Sequence, residues 1–141
     1  MEESALIEAG WDKRELGGFT GLAGPFWLRG EGIDREVGLL VEPKHCNNHL
    51  GTIHGGLVST FADIGLGIGV SGAIGGTHCV TLQLQLYFVS TARVGEFVQV
   101  KPELVRQTKQ IVFVRGLIRT GERTIANADG IWKVIELKPS A

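Results

Sequence analysis

Residues 48–73 read NHLGTIHGGLVSTFADIGLGIGVSGA and contain the longest apolar stretch of the chain. The stretch follows a polar connection and predicts one long helix from about His54 to Ala73. A membrane span is the competing interpretation. Asp63 lies near the middle, and the stretch lacks the ~18 uninterrupted apolar residues of a span, so a buried helix is favoured.

Four glycines recur in the second half of this predicted helix. Each lowers helix propensity, by about 1 kcal/mol relative to alanine. A helix that keeps them is therefore expected to pack its backbone closely against a sheet. The four are Gly65, Gly67, Gly69 and Gly72.

The chain before the long helix changes from a helical to an extended pattern. Residues 2–16 are expected to form a short N-terminal helix that the glycine pair 17–18 ends. Residues 19–43 are expected to be extended, with a strand pair around a turn at 30–34.

The chain after the long helix predicts only strands. In 80–88, leucines alternate with polar residues, which places Leu82 on an apolar face and Thr81 on a polar one. Residues 111–118 are apolar on both faces, as in a central strand covered on both sides. The expected strands are 80–88, 97–105, 111–119 and 124–137, with turns near 107–109 and 121–122.

These elements predict an α+β architecture in which an antiparallel sheet of five or six strands wraps a long central helix. With 141 residues, 43% of them apolar, the chain has the size and composition of one domain. That domain is expected to span 1–141, with 1–18 as the N-terminal helix and lead-in.

Charge and cysteine content exclude several function classes. Fourteen Lys and Arg against 15 Asp and Glu leave a net charge of −1, so nothing overall favours nucleic acid or an anionic membrane. Residues 1–5 lack the basic and apolar regions of a secretory signal. Two cysteines are too few for a disulfide framework. A cytoplasmic protein is expected.

The start of the helix, His54-Gly55-Gly56, is a candidate oxyanion site. Backbone N–H groups in a first helical turn have no intrahelical acceptor, and the positive end of the helix favours developing negative charge. The alternative is structural: the glycines allow the turn, and His54 caps the helix.

Asp63 is the second candidate, because a carboxylate among apolar neighbours is costly unless it has a partner or a use. A general base or nucleophile fits; a carboxylate at a solvated interface or bonded to a buried hydroxyl is the alternative. Gly55 and Asp63 lie eight residues apart, about 12 Å along one helix and about 80° around it. If both act on one carbonyl, they come from two subunits of a two-fold dimer.

Other constellations are weaker. The His and Cys residues show no paired metal-ligand spacing for zinc, and a Cys46 nucleophile has no supporting motif. Arg93, Arg106 and Lys109 lie at strand ends or turns, where they could hold phosphates or remain as solvated surface charge.

Taken together, Asn48, Gly51-Thr52-Ile53-His54-Gly55-Gly56, Asp63 and Thr81 resemble the motif of the hotdog-fold acyl-CoA thioesterases, PaaI-like branch. The similarity runs from about 41 to 134 and includes YFVSTARVGE at 87–96. It implies a hotdog fold, dimers that often form tetramers, and hydrolysis of an acyl-CoA or aryl-CoA thioester. Threonine at 81 departs from the serine common in the family and affects the shape of the acyl pocket more than the chemistry.

The resemblance also implies residue roles. The Gly55 N–H, with Asn48, would polarise the carbonyl, and the partner's Asp63 would activate water or form a covalent anhydride. Thr81 would bond that water or Asp63, and His54 would sit by the sulfur or hold the loop. Coenzyme A is part of the substrate, so no cofactor or metal is implied. Substrate contacts are expected from Gly56, Phe88, Val89, Ser90, Arg93, Arg106 and Lys109.

Two other function classes stay open. A non-catalytic hotdog module would bind acyl-CoA as a sensor, although the retained motif residues argue against it. A hotdog dehydratase or hydratase would pair a catalytic His with an acidic residue in motifs that this sequence lacks.

Overall fold

The computed structural model of the protein describes residues 1–47, 49–76 and 78–136. One long helix, α3 (Gly55–Ala73), packs across one face of an antiparallel sheet, which confirms the predicted fold class. The other helices are α1 (Glu3–Glu8) and α2 (Gly18–Ala23). The strands are β1 (Asp12–Arg14), β2 (Phe26–Arg29), β3 (Glu36–Leu40), β4 (His78–Phe88), β5 (Phe97–Val100), β6 (Glu103–Gln107), β7 (Ile111–Thr120) and β8 (Arg123–Ile135).

The sheet has eight strands in the order β1-β2-β3-β5-β7-β8-β4, and β6 pairs with β7 beside β5. The prediction of five or six strands was too low for two reasons. One extra strand, β1, comes from the segment expected to be helical. The other arises because the expected strand 97–105 divides at Pro102, which has no N–H to donate to a sheet.

The N-terminal helix is shorter than predicted. It ends at Glu8, and Gly10 adopts a φ of +93°, which favours glycine and turns the chain back. Trp11 is then buried with Leu6 and Trp27 in a small second core, and β1 pairs with β2. The start of the segment expected to be extended forms α2 instead.

Helix α3 is held by its apolar side chains against the inner face of the sheet. Val58, Phe61, Leu66 and Val70 are fully buried there. Within the described part of the chain, α3 is the single helix long and apolar enough to cross a membrane by length and composition alone. Seven of its residues are buried within the domain.

Strand β7 is central in the sheet, as expected, but it is covered on one side only within this chain. Val112, Val114 and Ile118 face α3 and are buried, whereas Leu117 on the opposite face is exposed. The outer face of the sheet is therefore partly open in one protomer.

Candidate active site

The N-terminal end of α3 is capped by the side chain of His54. Its Nδ1 accepts the N–H of Gly56 at 2.8 Å, so the N–H of Gly56 is engaged within the chain. The N–H of Gly55 has no acceptor among the described residues. The expectation of two unpaired N–H groups is therefore corrected to one, at the positive end of a 19-residue helix.

A buried histidine anchors the loop that leads to this end. His45 accepts the N–H of Glu42 at Nδ1, so its Nε2 carries the proton and donates to the carbonyl of Ala23 at 2.7 Å. Its own carbonyl accepts the N–H of His54 at 2.8 Å. Burial lowers the pKa of the His45 imidazole, which keeps it neutral and structural.

Asp63 lies two turns further along α3, half-buried, and accepts a hydrogen bond from the hydroxyl of Thr81 at 2.6 Å. The bond engages Oδ1 and leaves Oδ2 for another donor. The structure thus joins two of the predicted residues directly. Burial raises the pKa of the neighbouring Cys79 thiol, and the negative charge of Asp63 raises it further.

A β-bulge in β4 makes this contact possible. The register with β8 runs from Thr81 opposite Trp132 to Gln83 opposite Ile131, so Leu82 is the extra residue. Leu82 is 55% exposed, while Thr81 turns toward α3. The predicted assignment of Leu82 to the apolar face and Thr81 to the polar face was wrong, because the bulge shifts the alternation by one residue.

An open groove of about 500 Å³ runs from Asp63 and Thr81 along α3. Its apolar wall includes Leu16 and Ile68, and its floor is the indole of Trp132. The groove has the size and the largely apolar lining of a small-molecule pocket. The sequence indicated neither Leu16 nor Trp132, because no local pattern brings 16 and 132 to the helix.

The exit of β4 lies beside the start of α3. A Cβ placed on Gly55 would lie 3.6 Å from the ring of Phe88, so this aromatic side chain borders the free N–H. Val89 is exposed beside it, while the hydroxyl of Ser90 donates to the carbonyl of Thr124 at 2.6 Å. Arg93 pairs through its backbone with Thr52, next to the same loop.

The other two predicted phosphate contacts lie elsewhere. Arg106 is on β6 opposite Phe113, and Lys109 is in the turn before β7; both are exposed. Arg106 and Lys109 lie level with the first half of β4 across the sheet. Arg93 lies in the chain beyond Phe88, where β4 ends. One protomer does not bring Arg93 together with the other pair.

Three candidates from the sequence remain: Asn48, a metal site and a Cys46 nucleophile. Asn48 lies outside the described residues. In the described ranges no group of three or more His, Cys, Asp or Glu is placed to hold a metal. Burial raises the pKa of the Cys46 thiol, which disfavours the thiolate that a nucleophile needs.

Comparisons with known proteins identify the family. The family described as Thioesterase superfamily matches residues 50–126. A Pseudomonas aeruginosa protein named "Putative esterase PA0474" is 38% identical over 114 residues, which cover 79% of this chain and 84% of that protein.

Solved structures share the fold. The E. coli PaaI protein from the phenylacetic acid degradation operon superposes with a TM-score of 0.76 at 18% identity, covering 95% of this chain and 91% of that one. A hypothetical thioesterase from Streptococcus pneumoniae, solved with coenzyme A, superposes with a TM-score of 0.69 at 20% identity, covering 81% and 88%.

Proposed function

The chain belongs to the thioesterase superfamily, and on that premise we propose that it hydrolyses an acyl-CoA or aryl-CoA thioester to a carboxylic acid and free coenzyme A. The observation that carries the proposal is the 2.6 Å bond from Thr81 to Asp63 at the mouth of an apolar groove. A carboxylate so placed can take a proton from water beside a bound acyl group.

The proposed reaction uses both ends of the helix segment 55–63. Water attacks the thioester carbonyl carbon while Asp63 takes its proton. The N–H of Gly55, assisted by Asn48, stabilises the oxyanion. The C–S bond then breaks, and the thiolate leaves and is protonated. A covalent anhydride through Asp63 is the alternative to direct attack by water.

We propose that the two ends come from different subunits. Gly55 and Asp63 are about 12 Å apart along one helix, too far to share one carbonyl. Strand β4 supplies a means of pairing, because it is an edge strand of 11 residues that bonds to β8 on one side only. Two copies joined antiparallel along β4 would place their α3 helices side by side around a two-fold axis.

Phosphate binding follows from the same pairing. Arg93 lies at one end of β4, and Arg106 and Lys109 lie level with the other. An antiparallel dimer brings opposite ends of the two copies together, so the coenzyme A phosphates would be held by Arg93 of one subunit and the basic pair of the other.

We also propose a further level of assembly and a cellular location. The partly open outer sheet face, with Leu117 and Tyr87 exposed, is suited to pairing of two dimers into a homotetramer. Both cysteines are free, in keeping with a reducing cytoplasm. Light scattering of the purified protein measures the assembly.

The experiment that tests the function is thiol release from a panel of aliphatic and aromatic acyl-CoA esters, with Asp63→Asn alongside. We expect the substitution to lower kcat by about 10²–10⁴-fold, the contribution of a general base. Asp12→Asn is the matched control, since Asp12 is an exposed carboxylate on β1, at the opposite sheet edge from β4. Acyl-CoA binding without hydrolysis in the wild type would instead favour the sensor module.

A further inference from the structure

Trp132 is held in one orientation on the floor of the groove. The residue is 2% exposed and lies on β8 opposite Thr81. A Cβ on Gly130 would lie 2.6 Å from Cζ3 of the indole, so the benzo ring occupies the space over that glycine. A Cβ on Gly67 would lie 3.4 Å from Nε1, so the N–H edge faces α3 at a residue without a side chain.

The indole N–H has no hydrogen-bond acceptor among the described residues. Among the described residues, Nε of Arg35 is the one fully enclosed side-chain nitrogen or oxygen without a partner. Nε1 of Trp132, which also lacks a partner there, is therefore not fully enclosed, and it keeps an opening to the groove. In the open groove, water can accept from this donor. A ligand that displaces the water must supply an acceptor itself, because a donor left unpaired beneath it would cost about 1–3 kcal/mol.

The groove restricts the kind of acceptor. Asp63 is the one charged side chain among its described lining residues, and no Lys, Arg or His lies there. Within one subunit, a carboxylate on the acyl group would meet the negative charge of Asp63 with no counter-charge. A neutral oxygen, such as a hydroxyl or keto group, would not.

Position along the helix restricts where that oxygen lies. Gly67 is one turn from Asp63, about 6 Å along the axis. An extended chain covers that distance in about five bonds. Resting on the proposed thioesterase activity, we propose that Trp132 is a specificity residue that selects uncharged acyl groups with a hydrogen-bond acceptor on the carbon about five bonds from the thioester carbonyl carbon.

The test compares three substrates: hexanoyl-CoA, 6-hydroxyhexanoyl-CoA and 3-hydroxyhexanoyl-CoA. Trp132→Phe keeps an aromatic ring and removes the donor. We expect the ratio of kcat/KM for the 6-hydroxy substrate to that for hexanoyl-CoA to fall about two- to tenfold, the effect of one net hydrogen bond. The ratio for the 3-hydroxy substrate is expected to hold. Equal losses on all three substrates would mean that Trp132 only packs.

A second variant leaves the indole in place. Gly67→Ala adds a methyl group 3.4 Å from Nε1, in the space that the ligand's acceptor would occupy. It is expected to reproduce the selective fall in the 6-hydroxy ratio. An unchanged ratio in Gly67→Ala would overturn the proposal even if Trp132→Phe failed to fold.

Binding separates this inference from the proposed function. In an Asp63→Asn background, which prevents turnover, calorimetry gives the Kd of each of the three esters with and without Trp132→Phe. The ratio of these Kd values measures the contribution of Trp132 to binding alone. Absence of hydrolysis by the wild type, with the Trp132-dependent Kd ratio retained, overturns the thioesterase proposal alone. Hydrolysis with no Trp132-dependent ratio in either assay overturns the specificity proposal alone.

Discussion

The two faces of α3 use glycine for opposite purposes. On the packed face, a Cβ on Gly65 would lie 2.9 Å from Val100, and one on Gly69 would collide with the ring of Pro102. On the groove face, Gly67 meets nothing closer than the indole nitrogen at 3.4 Å. One face lacks side chains where the sheet approaches closely, and the other where the groove stays open beside the indole of Trp132. The predictions below test this contrast in order of expected effect.

After Asp63→Asn, the largest effect is expected at the free N–H that begins the helix. Gly55→Pro removes this donor at the first helical position, where proline is tolerated, and His54 already has the extended backbone that proline requires. We expect kcat to fall about 10²–10³-fold, as for the loss of one oxyanion donor. Gly55→Ala keeps the N–H and is expected to retain far more activity.

Mixing subunits shows whether this donor acts across the dimer. Random mixtures of Gly55→Pro and Asp63→Asn should recover about a quarter of wild-type activity, since half the dimers would hold one intact site of two. Mixtures as inactive as either parent would place both groups in one chain.

The next effect concerns the hydroxyl that holds Asp63. Thr81→Val removes the donor at nearly constant volume, and a hydrogen bond to a charged group contributes about 1.5–3 kcal/mol. We expect kcat/KM to fall roughly tenfold to a hundredfold in the thiol-release assay. Thr81→Ser, which keeps the hydroxyl, is the control; equal losses in both variants would show that the hydroxyl bond to Asp63 is not what the activity depends on.

On the packed face the expected effect is on stability. Gly69→Ala places a methyl group against the rigid Pro102 ring, and such overpacking costs about 1–3 kcal/mol, more than the ~1 kcal/mol of helix propensity gained. Thermal unfolding at fixed protein concentration should show a Tm several degrees lower. An unchanged or higher Tm would show that the contact relaxes freely.

The smallest expected effect is on stability at the groove face, and its sign is opposite to that of Gly69→Ala. Gly67→Ala gains up to about 1 kcal/mol of helix propensity and meets only ordinary contact at 3.4 Å. The Tm should rise by a few degrees under the conditions used for Gly69→Ala. Destabilisation of both variants to the same extent would remove the distinction between the two faces.

Much of the site was predictable because its signals are local. The residues that indicate a buried helix with candidate catalytic groups all lie within one short segment: the apolar run, its central Asp63 and the glycines at its start. Their signal does not depend on what surrounds the helix. The strand pair at 26–40 likewise follows from short-range alternation, and the structure confirms it as β2 and β3. Where a distant partner decides the outcome, prediction failed, as at β1, which forms because β2 pairs with it.

By itself the sequence determined the long helix, the fold class and the residues that match the thioesterase motif, since each depends on residue types at fixed spacing. Only the tertiary structure decided that Thr81 faces Asp63, because a bulge is a property of two paired strands. It also decided at which glycines a neighbouring group occupies the space of a side chain. The position of the Trp132 N–H, beside Gly67 and open to the groove, was decided in the same way. These features depend on distances between residues far apart in the chain, which no local pattern encodes.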